Sequence, residues 1–334
     1  MGTDNVHFNV FDHNPDSGTL TQLSSTNTVI GAGGRIMLDP VFHVMFLENG
    51  KDNTGWDGGN LAIFDISNPS SPRLLRTQAI GGNHAPAPLM LMDVTGRYPI
   101  LESISGTFES LEYDPLTKTI LEHLDWQLKN AWRPGGLLAL SPDQKLVIST
   151  AYDAQIWVSS RDLETGMLSP LAGPFAIEGI GNSWPGSPVF SPDGKYYIVS
   201  DFLKGVVYSY AVDSATGDLS LVSKTACNAG DFYGFLDSTT LLGSEAAGSR
   251  SMRLFKYDPA SGAVTATGVS VNLPGDNTES VAISSDGRLI YATNASGSQI
   301  PTLQVIRFDS TTDTLCVVTP PDPPAAFWLA AQPK

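Results

Sequence analysis

The chain has 334 residues, 41% hydrophobic and only 16% charged, so it can bury a large core and does not have the composition of a disordered segment. Its formal net charge of −15 argues against nucleic acid and anionic membrane surfaces as partners, because both call for a cationic face. No run of about eighteen apolar residues occurs, so no membrane insertion is expected.

The N-terminus, MGTDNVHFNV, reads as strand almost at once and carries no signal-peptide pattern. The next residues set a marker for the whole chain. HFNVFDHNPDSGTL is an alternating apolar strand, an Asp (Asp12), a polar turn and a second strand. The marker returns at Asp65, Asp114, Asp162, Asp213, Asp258 and Asp309, at spacings of 45 to 53 residues. Period-two alternation marks strands, and Asp with Ser/Thr-Gly marks the turn between them. Because these aspartates recur in every copy, they are expected to form turns and not to catalyse.

A second hairpin lies between successive markers. Its copies are LDPVFHVMFLEN from Leu38, MDVTGRYPILES from Met92, SPDQKLVIST from Ser141, SPDGKYYIVSD from Ser191, LDSTTLLGSEA from Leu236 and SSDGRLIYATN from Ser284. Ser-Pro-Asp-Gly makes the turn, with Gly at the φ > 0 position. Each unit thus holds four antiparallel strands, A to D. No stretch has convincing helical periodicity. The expected fold is all-β: one seven-bladed β-propeller domain over residues 1–334, with six blades as the alternative. The chain starts on a strand C and ends on PAAFWLAAQP. Phe327–Ala330 is therefore expected to close the ring by pairing the N- and C-terminal segments in one blade. Cys227 and Cys316 fall a whole repeat apart, so no disulfide is expected.

In a propeller the A strands line the central channel, and loops entering A and leaving B gather at one face. Positions before strand A include His84, Trp132, Arg133, Trp184, Asp231, Phe232, Tyr233, Asn277 and Glu279. Strand B ends on Glu48, Glu102, Thr150, Asp201, Glu245 and Asn294. The B-to-C loops add Trp56, Phe108, Tyr152, Phe202 and Arg250, and the Asn49–Asn60 loop is long and Gly-rich, as a lid would be. From these, Arg133, Tyr233, His84, Glu102 and Glu245 are the candidate catalytic groups. Trp56, Phe108, Trp132, Tyr152, Trp184, Phe202, Phe232 and Glu279 are the candidate substrate-binding groups. Aromatic walls with sparse polar groups suit a small, hydrophobic organic substrate. The competing readings tie the strand-end carboxylates to turn amides and pack Trp132 and Trp184 between blades.

No HExxH, CxxC pair, P-loop, GxGxxG or GxSxG context is present. No cofactor and no metal are expected; only Glu48, Glu102 and Asn294, if they converged, offer oxygens for Ca²⁺. The sequon at Asn294 and the low lysine content lean toward a secreted or extracytosolic glycoprotein, with a cytoplasmic one as the alternative. A monomer or weak homodimer is expected.

The SPDG-K hairpin, the Y-x-x-D-x-x-TG-x-L hairpin and the split first blade resemble the lactonase-like seven-bladed propellers. That group includes 6-phosphogluconolactonase-type enzymes and the fungal carboxymuconate-cyclising enzymes. Among fungal secondary-metabolite propellers, the chain is similar to the hetero-Diels–Alderases of tropolonic sesquiterpene biosynthesis. That resemblance implies a cycloaddition of a quinone methide with a terpene olefin. An aromatic pocket would hold the two partners in near-attack geometry, and Arg133, Tyr233, His84 or Trp184 would donate a hydrogen bond to the quinone methide. A neutral Glu102 or Glu245 would instead assist dehydration. The alternatives are a lactonase or muconate-type cycloisomerase, and a non-enzymatic binding propeller. The charge of −15 disfavours polyanionic substrates of the phosphosugar or carboxymuconate kind.

Overall fold

The computed structural model describes residues 7–14, 16–27, 36–49, 60–79, 90–91, 93, 95–102, 108–126, 137–151, 154–177, 184–247, 251–274, 277–295 and 302–318. Among the described residues every regular element is a β-strand. They form one two-stranded and six four-stranded antiparallel sheets, each in chain order, the unit from which a β-propeller is built.

The first sheet pairs β1 (His7–His13) with β2 (Leu20–Asn27). The second holds β3 (Ile36–Asp39), β4 (Val44–Asn49), β5 (Asn60–Asp65) and β6 (Arg73–Ala79). The third holds β7 (Met90–Leu91), β8 (Ile100–Glu102), β9 (Phe108–Asp114) and β10 (Thr119–Trp126). The fourth holds β11 (Leu137–Leu140), β12 (Leu146–Thr150), β13 (Gln155–Arg161) and β14 (Leu168–Ala176). The fifth holds β15 (Val189–Phe190), β16 (Tyr196–Asp201), β17 (Val206–Val212) and β18 (Leu219–Ala226). The sixth holds β19 (Ala229–Phe235), β20 (Thr240–Glu245), β21 (Ser251–Tyr257) and β22 (Val264–Asn272). The last holds β23 (Asn277–Ile283), β24 (Leu289–Ala295), β25 (Thr302–Asp309) and β26 (Thr314–Val317). All seven Asp-led hairpins and all six A–B hairpins expected from the repeats are present. The closing strand expected at Phe327–Ala330 lies outside the described residues.

The chain divides into two compact units. Unit 1 lies within Met1–Gly135 and takes in Glu164–Met167; unit 2 lies within Gly136–Leu163 and Leu168–Phe327. In unit 1 the β1–β2 hairpin sets Phe8 edge-on against Phe64 of β5, with ring centroids 4.9 Å apart. Phe46 of β4 meets Tyr113 of β9 the same way at 5.1 Å, joining the second sheet to the third. In unit 2 each sheet packs its middle strands on the next. Val158 and Tyr197 share one cluster, Ile198 and Phe255 another, and Leu254 and Ile306 a third. The strands alternate because one pleat face meets each neighbouring sheet, which is why the inner strands read as nearly continuous apolar runs.

The turns explain the repeats. In the Asp-led hairpins the carboxylate accepts the amide two residues on: Ser67 N–H on Asp65, Leu116 on Asp114, Ala215 on Asp213, Ala260 on Asp258 and Thr311 on Asp309, all at 2.8–3.0 Å. In the three Ser-x-Asp hairpins Ser Oγ donates to the Asp two residues on, at 2.7 Å in Ser141–Asp143, 2.7 Å in Ser191–Asp193 and 2.6 Å in Ser284–Asp286. The same Oγ accepts the amide of Leu146, Tyr196 and Leu289 at 2.9–3.0 Å. The hairpin from Asp93 exchanges the roles: Thr95 Oγ1 donates to Asp93, which accepts Tyr98 N–H at 3.0 Å.

The fourth turn residue is left-handed in all three Ser-x-Asp copies: Gly194 at φ 72°, Gly287 at φ 71° and Gln144 at φ 60°. A Cβ on Gly287 would run into the Leu236 carbonyl, whereas one on Gly194 would meet only Pro142 Cδ at 3.5 Å. Gly194→Ala should therefore cost about 1–2 kcal/mol of backbone strain, and Gly287→Ala clearly more. Gln144→Gly would relieve comparable strain but take the acceptor from the buried Arg161 guanidinium, which donates to Gln144 Oε1 at 3.4 Å, so it should stabilise little or not at all. Urea unfolding of the three variants checks this; equal losses at Gly194 and Gly287 would contradict it.

The Asp-led turns also fix the response to acid. The Ser67, Thr117 and Ser261 hydroxyls hold Asp65, Asp114 and Asp258 below the ordinary carboxylate range, and the Ala215 and Thr311 amides do so for Asp213 and Asp309. Groups lowered on folding contribute stability above their unfolded value of about 3.9 and lose it as pH falls through the folded one. Unfolding midpoints in urea should therefore fall as pH drops below about 4, and a flat profile from neutral to acid would contradict this.

Candidate active site

Within unit 2 the first strands of successive sheets lie side by side, β11 by β15, β15 by β19 and β19 by β23. The stretch leading into β15 carries the first half of the site. Trp184 C=O accepts Phe202 N–H at 2.8 Å, Pro185 bridges to Asp201, and Gly186 N–H donates to Ser200 C=O at 2.9 Å. Ser187 then leaves its own sheet for the next. Its N–H and Oγ both donate to Asp231 Oδ1, at 2.8 and 3.0 Å, while its carbonyl accepts Phe232 N–H at 3.2 Å.

Asp231 stands on β19 where the pairing with β20 breaks twice, between Ala229 and Phe232 and again between Phe232 and Gly234. Such bulges re-aim side chains. Asp231 N–H is taken by Ser244 Oγ at 2.8 Å. Oδ1 is filled by Ser187, and Oδ2 of this half-buried carboxylate has no hydrogen-bond partner among the described residues. Two residues on, burial pushes the Tyr233 phenol well above its ordinary range; the Asp231 charge adds to this, and the Ser244 and Thr278 hydroxyls act against it. Tyr233 is thus a neutral phenol acted on by the Asp231 charge, its ring packed against the core between the sixth and seventh sheets.

The other expected residues fall into three groups. Trp184 is 56% exposed and Phe202 is half-buried, and with Leu203, which the sequence reading did not name and which is 50% exposed, they form an apolar rim at the ends of the strands. Glu245 closes β20 as expected, but its oxygens are engaged: Asn228 Nδ2 donates at 2.6 Å, Ser251 Oγ at 3.0 Å and Arg253 Nη1 at 3.5 Å. Asp201 is fully buried, accepts Leu203 and Lys204 N–H at 3.2 and 2.9 Å and pairs with Lys204 Nζ at 3.4 Å. The turn-amide reading of strand-end carboxylates thus holds for Asp201. Phe232 needs a correction, because its ring is 2% exposed and stacks edge-on against Phe255 at 5.7 Å, in the core between sheets and not on a pocket wall.

Trp56, His84, Trp132, Arg133, Tyr152 and Arg250 lie outside the described residues, as does most of the Asn49–Asn60 loop. Glu48, Glu102, Phe108, Glu279 and Asn294 are placed only by their backbones, on β4, β8, β9, β23 and β24. Asn294 pairs with Thr278 on one side and Thr302 on the other. Asp231–Tyr233 and Asn277–Glu279, expected before strand A, stand within β19 and β23. No group of three metal-ligating side chains occurs among the described residues. Both cysteines are free, and burial pushes the Cys227 thiol up to about 11, so it is un-ionised at neutral pH. Sequence reasoning named Asp231 near the mouth without choosing it, and passed over Ser187, Ser244 and Thr278. The bulge that brings them together leaves no mark in composition or alternation.

No protein-family model matches the chain, and no curated protein does. Solved structures do. A candidate 6-phosphogluconolactonase from Bacteroides fragilis aligns with a TM-score of 0.75 at 17% identity, over 95% of this chain and 91% of that one. A second, from Bacteroides uniformis, gives 0.75 at 18%, over 95% and 92%. The periplasmic gluconolactonase PpgL of Pseudomonas aeruginosa gives 0.70 at 16%, over 96% and 95%. At these identities the likeness establishes the fold, a β-propeller of the kind found in lactonase-like proteins.

Proposed function

We propose that the protein is a lactone-ring hydrolase, or a cycloisomerase running related chemistry, acting on a small uncharged organic substrate at the Asp231 site. The observation that carries this is the two-sided carboxylate: Asp231 Oδ1 is clamped by Ser187 while Oδ2 is open among the described residues, beside the neutral Tyr233 phenol. Asp231 Oδ2 takes a proton from water as the water oxygen attacks the lactone carbonyl. Tyr233 donates a hydrogen bond to the oxyanion. As the ring C–O bond breaks, the leaving alkoxide takes the proton from Asp231, giving the hydroxy acid and restoring the site. The lactonase names of two kinds of fold neighbour, candidate 6-phosphogluconolactonases and a gluconolactonase, support the reaction class.

The charge favours neutral substrates. The nearby cations described, Lys204 and Arg253, are matched by Asp201 and Glu245, and Asp231 adds a negative charge. A phosphate about 4 Å from Asp231 would meet roughly 4 kcal/mol of repulsion at the effective dielectric of a protein surface. The cycloaddition reading has the Trp184–Phe202 rim in its favour and loses Phe232 to the core. A seven-bladed count fits the seven Asp-led hairpins, six of which belong to complete sheets.

The test is hydrolysis of a panel of uncharged and phosphorylated aldonolactones, followed by base uptake. Uncharged lactones should turn over with the higher kcat/KM. Asp231→Asn should lower kcat by about 10²–10⁴ and Tyr233→Phe by about 10²–10³. Ser187→Ala, which keeps the amide bond, should lower it less than Asp231→Asn. Turnover unchanged in Asp231→Asn would overturn the site, and no turnover of any lactone would overturn the reaction class.

A further inference from the structure

The first residue of each A–B turn is Ser or Asp, and the third residue supplies what the first one needs. Where Ser leads, an Asp stands third: Ser141–Asp143, Ser191–Asp193 and Ser284–Asp286. Where Asp leads, a hydroxyl stands third: Asp93–Thr95 and Asp237–Thr239. The turn at Asp39 breaks this rule, because Val41 stands third and offers only its amide.

Asp39 Oδ1 accepts Val41 N–H at 2.8 Å and Phe42 N–H at 3.3 Å, as Asp237 Oδ1 accepts Thr239 and Thr240 N–H at 2.8 and 2.7 Å. Asp237 Oδ1 also takes the Thr239 hydroxyl at 3.2 Å, and Asp93 Oδ2 takes that of Thr95; no hydroxyl reaches Asp39 among the described residues. Asp39 is 0% exposed, and its Oδ2 is sealed from solvent with no hydrogen-bond partner among the described residues. The Gly96 backbone closes one side, since a Cβ there would stand 2.5 Å from both carboxylate oxygens. A second buried group in unit 1 shares the defect. Tyr113 is fully buried, its Oη also has no partner among the described residues, and Asp39 is the charge that acts on it most strongly. Among the other titratable groups, Asp93 faces Asp39 from the β7–β8 turn, 3% exposed, and His43 from its own turn, exposed; Asp114 and Asp65 also act on Tyr113. On Asp39 itself one carboxylate, Asp93, acts against one histidine, His43.

We propose that Asp39 Oδ2 is a buried proton-binding site, which makes the Asp39 turn a proton-linked clasp between the second and third sheets. The proton comes from solvent and converts the sealed carboxylate to a carboxylic acid, which removes the charge that Asp93 opposes and that acts on Tyr113. Electrostatics agree with the geometry. Burial raises Asp39 above the ordinary carboxylate range, the Val41 and Phe42 amides oppose this, the Asp93 charge adds to it, and His43 opposes it. In Asp237 burial also raises the carboxyl, but the hydrogen bonds from Thr239 and Thr240 prevail and it ends lowered. A group raised on folding contributes stability that is complete below its unfolded value of about 3.9 and is lost as pH rises through the folded one. Asp39 thus runs opposite to the Asp-led turns.

Asp-selective ¹³C carboxyl titration of the intact protein reads the site directly. One buried carboxyl should titrate above the ordinary range and vanish from the spectrum in Asp39→Asn. That variant keeps the Oδ1 acceptor, so its thermal midpoint should exceed wild type near neutral pH and lose the excess near pH 4. Val41→Thr, at a 46% exposed position, supplies the missing hydroxyl and should bring the Asp39 titration down toward the ordinary range. An Asp39 carboxyl that titrates in the ordinary range overturns the proposal. So does a Val41→Thr variant that leaves a high-titrating carboxyl where it was.

Discussion

The frame depends on one interaction, a carboxylate or hydroxyl that closes a hairpin by accepting the amides of its own turn. Two-stranded hairpins are marginal alone. Here the turn residues pre-order each hairpin locally, so packing between sheets has only to join units that already hold their register. The same chemistry explains the acidity. Asp65, Asp114, Asp213, Asp258 and Asp309 sit at one set of turns, and Asp143, Asp193, Asp237 and Asp286 at the other, all with amide or hydroxyl partners. Much of the charge of −15 is therefore turn chemistry, and it says less about ligands than composition suggests. The charges around Asp231 weigh more directly against an anionic substrate.

The turns also lock onto neighbouring structure. Tyr196 Oη donates to Ala260 C=O at 3.3 Å in unit 2, and Tyr98 Oη donates to Glu164 C=O at 2.5 Å in unit 1. The two tyrosines occupy equivalent places in their A–B hairpins, and the two carbonyls each stand two residues after the hairpin aspartate, Asp258 and Asp162. One device thus recurs in both units. Lys256 makes a variant of it, bridging Thr240 Oγ1 at 2.9 Å and Asp313 Oδ1 at 2.8 Å.

These features divide what sequence could reveal from what it could not. Hairpins were legible because their determinants are local: Ser191 and Asp193 are two residues apart, and strand alternation flanks them. The strand ends Thr150, Asp201 and Glu245 followed from the same register. The site was not legible, because its central contact joins Ser187 to Asp231 across 44 residues. It also depends on two breaks in the β19–β20 ladder, which turn residues expected in a loop into strand residues. Phe232 misled for a simpler reason: strand alternation turns its ring away from Asp231 and onto Phe255 in the core.

A repeated frame makes its departures informative. When six A–B turns face the same problem, the position that lacks the shared solution is either compensated elsewhere or left under strain. Asp231 is a departure of the first kind: the β19 bulge costs ladder hydrogen bonds, and Ser187 and Ser244 replace them. Asp39 is of the second kind, since Val41 cannot supply the hydroxyl that Thr95 and Thr239 do. A buried carboxylate left in that state costs several kcal/mol in its charged form, and a bound proton removes most of that cost. One departure leaves a carboxylate oxygen open for chemistry, whereas the other seals it where only a proton fits.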